Sequence, residues 1–261
     1  MTGPELTGPE TTSTALRRFT ARDGAELAYR ETGAGRPLVL IHGYFSTSQV
    51  NWISYGHAAH LAGLGFRVIT PDLRGHGESA KPHDPAAYPP DVLADDAFDL
   101  VEHLGLTDYD LGGYSLGGRT TIRMLVRGAR PRRAVVAGMG LHGIEHTGGG
   151  NAHFRKVLTG LGTFERGTAE WRAEAFFKQI GGDRDALLHV LDTAVDTPRA
   201  DLARLDTPTL VVAGTEDPHN KTAPDLAAAL PNGRYVSVPG NHLSAVAQPE
   251  LGHVIGEFLT S

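Results

Sequence analysis

Short, predominantly apolar runs alternate along this chain with stretches of helical spacing, and no other feature narrows the possible folds as much. Pro37–Ile41, Phe66–Thr70, Tyr109–Gly112, Arg133–Ala137 and Thr209–Ala213 are such runs, and Tyr235–Val238 closes the series. A strand reads this way when both of its faces are buried, because few positions then need a polar residue. Between the runs, Val92–Leu104, Leu116–Val126 and Ala223–Leu230 carry apolar residues near helical spacing, and Ala245–Leu259 is the expected final helix. Two earlier strands, Leu16–Ala21 and Glu26–Arg30, are joined by the turn signal Asp23-Gly24. The alternation implies an α/β fold built on a mostly parallel, doubly wound sheet with helices on both faces.

The rhythm breaks once. Between about Leu141 and Thr197 no strand is expected, and Phe154–Leu161, Ala169–Ile180 and Asp185–Leu191 read as short helices set off by glycines. We read 141–197 as a helical lid inserted into a core made of 16–140 and 198–261, with residues 1–15 as a flexible tail.

Composition excludes several functions. The net charge of −6 leaves no basic excess to track a phosphate backbone, so no nucleic-acid partner is expected. With no cysteine in the chain, disulfides, thiolate metal sites and a cysteine nucleophile are ruled out. The first residues lack the basic start and apolar run of an export signal, and no stretch is long enough for a membrane-spanning helix. A cytoplasmic protein with no membrane partner is therefore expected, and Asn220-Lys221-Thr222 is read as a chance glycosylation sequon. Nothing in the pattern specifies an oligomeric state.

The chemistry centres on Gly113-Tyr114-Ser115-Leu116-Gly117, which follows an expected strand and opens an expected helix. A serine hydroxyl is a weak nucleophile unless it is exposed and held beside a base. A tight strand-to-helix turn exposes it, at the cost of an unfavourable backbone conformation, and side chains at positions 113 and 117 would collide with neighbouring elements. The helix N-terminus behind Ser115 favours developing negative charge.

Four segments in order, Leu40-Ile41-His42-Gly43-Tyr44, Asp72-Leu73-Arg74-Gly75-His76-Gly77-Glu78-Ser79, the serine turn and Gly240-Asn241-His242, resemble the α/β-hydrolase superfamily from about Leu16 to the C-terminus. The resemblance implies Ser115 as nucleophile, His242 as base, and an acid after the strand that follows the insertion. There Gly214-Thr215-Glu216-Asp217 points to Asp217, with Glu216 expected to face elsewhere. It also implies an oxyanion hole made by the backbone N–H groups of Tyr44 and Leu116. His42, Asp72, Arg74 and His76 read as supports for the surrounding loops. The insertion would form the substrate pocket, with Phe154, Trp171, Phe176 and Phe177 as candidate walls. Arg119 and Arg123 read as surface residues and not as ligands for a substrate carboxylate.

Gly138-Met139-Gly140-Leu141-His142-Gly143 matches the dinucleotide fingerprint, but the strand and acidic residue that should follow it are missing around Leu158–Leu161. We read it as the hinge into the insertion, and expect no cofactor. The 13 histidines form no metal-binding pattern, so no catalytic metal is expected. The implied activity is hydrolysis of a small-molecule carboxylic ester or lactone through an acyl-enzyme. Relatives with the same three residues cleave carbon–carbon bonds or make peracids without a cofactor, and others bind ligands or act without hydrolysis.

Overall fold

The structure, a computed structural model, describes residues 15–261, so the expected N-terminal tail lies outside the described residues except for Ala15. Eight strands form one sheet in the order β1-β2-β4-β3-β5-β6-β7-β8. They are β1 (Leu16–Thr20), β2 (Glu26–Thr32), β3 (Arg36–Ile41), β4 (Phe66–Pro71), β5 (Asp110–Tyr114), β6 (Ala134–Ala137), β7 (Thr209–Gly214) and β8 (Gly233–Val238). β1 and β2 run as an antiparallel hairpin against β4, and every other pairing is parallel.

The parallel strands bury both faces, and their side chains sort by the two-residue period. In β3, Val39 and Ile41 join one apolar cluster while Leu38 and Leu40 join the cluster on the other face. β7 divides the same way, with Leu210 and Val212 on one side and Val211 and Ala213 on the other. One face is covered by α1 (His57–Gly63) and α10 (Pro249–Thr260), whose Leu61, Leu251 and Ile255 are fully buried. The opposite face carries α2 (Val92–His103), α3 (Leu116–Val126) and α9 (Ala223–Ala229), through residues such as Leu100, Ile122 and Leu226. The edge strand β8 is the most open of the parallel set, with Tyr235 37% exposed.

Between β6 and β7 the regular structure is all helical: α4 (Leu141–Glu145), α5 (Gly148–Thr159), α6 (Ala169–Gln179), α7 (Arg184–Asp192) and α8 (Arg199–Leu202). The glycine-rich fingerprint at 138–143 opens α4, and no strand follows until β7.

Two elements depart from the sequence reading. The final helix begins at Pro249; Ala245–Ala247 is a separate single turn, and Gln248 between them is extended. The ring of Pro249 forbids helical geometry in the residue before it, which breaks the expected continuous helix. α1 was not expected, because its three buried residues, His57, Ala58 and Leu61, leave a narrow stripe diluted by histidine. It is fixed by tertiary bonds, with His57 Nε2 2.6 Å from the carbonyl of Val246.

The parallel strands β3, β5, β7 and β8 all end at the same edge of the sheet. The residues just beyond them are Gly43 and Tyr44, Ser115, Asp217 and His242. Ligands in open α/β sheets bind outside this carboxyl edge.

Candidate active site

Ser115 stands between β5 and α3 with φ 55° and ψ −111°, and Asp91 is the only other non-glycine residue with positive φ among the described residues. This strained turn is held from both sides. The Ser115 N–H donates to the Ala137 carbonyl at 2.8 Å, and its own carbonyl accepts from the Arg119 N–H at 3.0 Å. The flanking glycines are steric requirements. A Cβ on Gly113 would lie 2.3 Å from the Gly117 backbone, and one on Gly117 would lie 2.1 Å from the Ile41 carbonyl oxygen. Backbone atoms on all sides leave nothing flexible to move aside.

His242 Nε2 lies 3.1 Å from Ser115 Oγ, within reach to accept the hydroxyl proton. Its Nδ1 lies 2.9 Å from Asp217 Oδ2. That spacing fixes the tautomer, since a carboxylate can only accept, so Nδ1 carries the proton and Nε2 is left as a base. Glu216 is exposed and takes no part. Asp217 is almost wholly buried. Burial pushes its carboxyl up, but the hydrogen bonds from His242, from Asn220 and from the His219 N–H outweigh this and hold it below the usual carboxylate range. Asn220 Nδ2 donates to Oδ2 at 2.7 Å and the His219 N–H donates to Oδ1 at 3.0 Å. Two supports escaped the sequence reading. One is Asn220, which was noted there only as part of a sequon. The other is Tyr114, whose hydroxyl donates to the His242 carbonyl at 2.7 Å.

The loop after β3 passes beside the serine, where a Cβ on Gly43 would sit 3.4 Å from Ser115 Cβ. His42 is completely buried and only supports this loop. Its Nδ1 donates to the Gly43 carbonyl at 2.7 Å while Nε2 accepts the Leu73 N–H at 3.0 Å. His76 reaches the Tyr44 carbonyl with Nε2 at 2.6 Å and the Arg74 carbonyl with Nδ1 at 3.0 Å. Burial holds the His76 ring neutral, its pKa lowered to about 3, so it donates through one nitrogen only; the shorter contact assigns that proton to the bond with Tyr44. Asp72 pins the same region by accepting the N–H groups of Ser48 and Glu78 at 2.8 and 2.9 Å. The N–H groups of Tyr44 and Leu116 have no protein acceptor among the described residues, and both residues line the cleft that contains Ser115.

A family model of the alpha/beta hydrolase fold matches residues 36–146. A non-heme chloroperoxidase, CPO-A1, from Kitasatospora aureofaciens is 31% identical over 256 residues, covering 85% of this chain and 90% of that protein. The chain belongs to the α/β-hydrolase family. A non-heme haloperoxidase from Rhodococcus erythropolis is 40% identical over 124 residues, so that similarity spans 46% of this chain and 42% of the relative. Among solved structures, an esterase from Thermogutta terrifontis superposes with a TM-score of 0.74 at 25% identity, covering 94% of this chain and 98% of that one.

The cleft of this α/β-hydrolase lies between the strand ends and the helices that follow β6. Its volume is about 380 Å³, open mouth included, and its apolar lining includes Met139, Phe154, Val190 and Leu191. Of the four expected pocket walls, only Phe154 lines it. The Phe154 ring packs 4.7 Å from Tyr44 and 4.9 Å from Phe45. Phe177 is buried against Phe45 at 5.4 Å, and Phe176 packs on the same cluster. Trp171 is partly buried under the Arg166 guanidinium, 5.9 Å from its ring centroid. These three sit on α6, which packs on α5 and turns Phe176 and Phe177 into the protein's own core.

The surface reading of the two arginines on α3 is corrected. Arg123 is partly buried and forked onto Asp91 at 2.5–3.1 Å. Arg119 lines the cleft with Ser115. Their helix face is covered by residues 190–195, which sequence periodicity on α3 does not reveal. Among the described residues no group of three or more His, Cys, Asp or Glu side chains is placed to hold a metal ion, and no helix is long and apolar enough to cross a membrane.

Proposed function

We propose that this protein is a serine hydrolase that cleaves a carboxylic ester or lactone of a small molecule. The observation that carries the reading is the continuous line from Ser115 Oγ through His242 to Asp217, with contacts of 3.1 and 2.9 Å. In the mechanism His242 Nε2 takes the Ser115 proton as the oxygen attacks the substrate carbonyl. The N–H groups of Tyr44 and Leu116 bind the oxyanion, and each such donor contributes roughly 10²–10³ in rate. Asp217, kept ionised by its donors, stabilises the imidazolium. His242 then protonates the leaving alcohol, and water, activated by the same nitrogen, releases the acid and restores the serine. The helices α4–α7 act as the lid, with Phe154 forming a wall of the acyl pocket. The serine at the turn supports this route over one through an alkyl-enzyme, which requires a carboxylate nucleophile.

The 31% identity to a non-heme chloroperoxidase across 85% of the chain favours one second reading. Hydrogen peroxide in place of water would attack the same acyl-enzyme, giving a peracid and free Ser115, and the peracid would oxidise halide outside the site.

Both readings pass through an acylated serine. The test is turnover of p-nitrophenyl acetate and butyrate together with labelling by a fluorophosphonate probe. We expect both in the wild type and neither in Ser115→Ala. A wild-type protein that is neither labelled nor active on any short ester would overturn the proposal. Bromination of monochlorodimedone in acetate buffer with peroxide, faster than ester hydrolysis, would select the peracid reading.

A further inference from the structure

Arg119 lies one helical turn beyond Ser115 on α3, on the same face, about 6 Å further along the axis. Among the described residues its Nε is sealed from solvent without an acceptor and its guanidinium forms no ion pair. The contrast with other buried arginines is sharp. Arg74 is enclosed by Asp96, Asp23 and the Ala87 carbonyl, and Arg123, one turn further on, is forked onto Asp91. Asp196, the acid that acts on Arg119 through space, is engaged instead by the Thr147 N–H at 2.8 Å. Burial lowers the guanidinium pKa to about 10, which still leaves it fully charged at neutral pH. A partly buried cation whose sealed Nε has no acceptor is unfavourable unless something supplies one.

The cleft explains what that is. Arg119 shares it with Ser115, and no acidic side chain lines it. On the Ser115 side the lining is apolar apart from the serine hydroxyl, the Asn151 amide, which donates to the Leu191 carbonyl, and the Tyr44 hydroxyl, which donates to the Leu187 carbonyl; on its other side Arg119 adjoins Thr120, Thr193 and Asp91, and that acid is already forked onto Arg123. We propose that Arg119 binds a carboxylate of the substrate, so that the preferred substrates are acidic esters, such as monoesters of short dicarboxylic acids. A guanidinium matches a carboxylate with two parallel N–H donors, and the offset between Ser115 and Arg119 suits a short methylene spacer between that carboxylate and the scissile carbonyl. This inference rests on the serine-hydrolase reading above and names its substrate class.

The experiment compares p-nitrophenyl hemiglutarate with its neutral counterpart, p-nitrophenyl valerate, in the wild type, Arg119→Met and Arg119→Lys. We expect the wild type to prefer the anionic ester at least tenfold in kcat/KM. Arg119→Met should lower that preference at least tenfold, mainly through KM, and Arg119→Lys should keep part of it. The melting temperature of Arg119→Met should equal or exceed that of the wild type, because an unpaired buried charge is removed, which separates the effect from misfolding. In parallel, Ser115→Ala with and without Arg119→Met is titrated with monomethyl glutarate by calorimetry. Valerate turnover with no anionic preference, or a preference unmoved in Arg119→Met, overturns the carboxylate site and leaves the hydrolase reading intact. Arg119-dependent binding in a protein that turns over neither ester supports the anion site and sinks the hydrolase reading. Neither turnover nor Arg119-dependent binding sinks both.

Discussion

At the scale of single residues, the site depends on a carboxylate that is crowded with donors. Asp217 Oδ2 accepts both His242 and Asn220, and Asn220 Nδ2 also lies 3.1 Å from His242 Nδ1. Two proton-bearing nitrogens in contact do not bond each other; they converge on the same oxygen, so Asn220 orients the acid that orients the base. Asn220→Ala should therefore lower kcat about tenfold with KM little changed, a loss of about 1.4 kcal/mol in transition-state stabilisation. Asp217→Asn, which offers Nδ1 the wrong partner, should cost about 10³–10⁴-fold. Steady-state kinetics on a p-nitrophenyl ester decides both, and an Asn220→Ala enzyme with wild-type kcat would show that the remaining donors suffice. Gly117 is constrained by space. An added Cβ would meet the Ile41 carbonyl oxygen at 2.1 Å and the His42 carbonyl oxygen at 2.8 Å. Gly117→Ala should destabilise the protein by about 3 kcal/mol, read from urea unfolding. A loss below about 1 kcal/mol would mean that the start of α3 can move away from the end of β3.

At the scale of elements, α5 is the weakest helix beside the cleft, since it opens on Gly148, Gly149 and Gly150. No atom lies within 4 Å of a Cβ built on Gly149. Alanine there restricts the unfolded chain and favours the helix, both in the same direction, so Gly149→Ala should stabilise the protein by about 0.5–1 kcal/mol. An unchanged or lower unfolding midpoint would show that this first turn needs its flexibility. The elements also show what a sequence discloses. β3 and β7 were legible because burial on both faces leaves nearly unbroken apolar runs, a local signature. The serine turn was legible because its glycines answer collisions that arise within a few residues of it. α1 and the break before Pro249 were not read, the first because its buried stripe is short, the second because one ring outweighs a helical period. Arg119 was misplaced for a different reason. Its polarity put it on the outer side of α3, and that side is closed by Leu191 and Ala194, which no local pattern relates to it. Asn220 was passed over although its acceptor, Asp217, lies three residues away in the same loop, because an irregular loop carries no periodicity to show that the amide turns back.

At the scale of the whole molecule, acid sensitivity follows from histidines that the fold keeps neutral. Burial lowers the pKa of His42, His57 and His76, in the last case from 6.5 to about 3. In the unfolded chain all three take up protons near pH 6.5, while the folded protein refuses them. The unfolded state therefore binds more protons below that pH, and stability, complete above it, falls as pH drops toward the folded values. His76 alone should cost about 2 kcal/mol between pH 7 and pH 5, at about 1.4 kcal/mol per pH unit. Asp96 and Asp110, whose carboxyls burial raises, and exposed His83, raised by Asp183, act in the opposite direction; Arg74 and Arg36 pull the two carboxyls back towards the ionised form and solvent screens His83, so the three histidines together set the sign. Urea unfolding at pH 7.5 and pH 5.0 should show the midpoint moving down on acidification, and His76→Gln should flatten that dependence whatever its own stability. Equal midpoints at the two pH values would refute the assignment. The same histidines join stability to the site: His42 donates to the Gly43 carbonyl and His76 to the Tyr44 carbonyl, so the loop beside Ser115 is held by rings that only the folded protein keeps neutral.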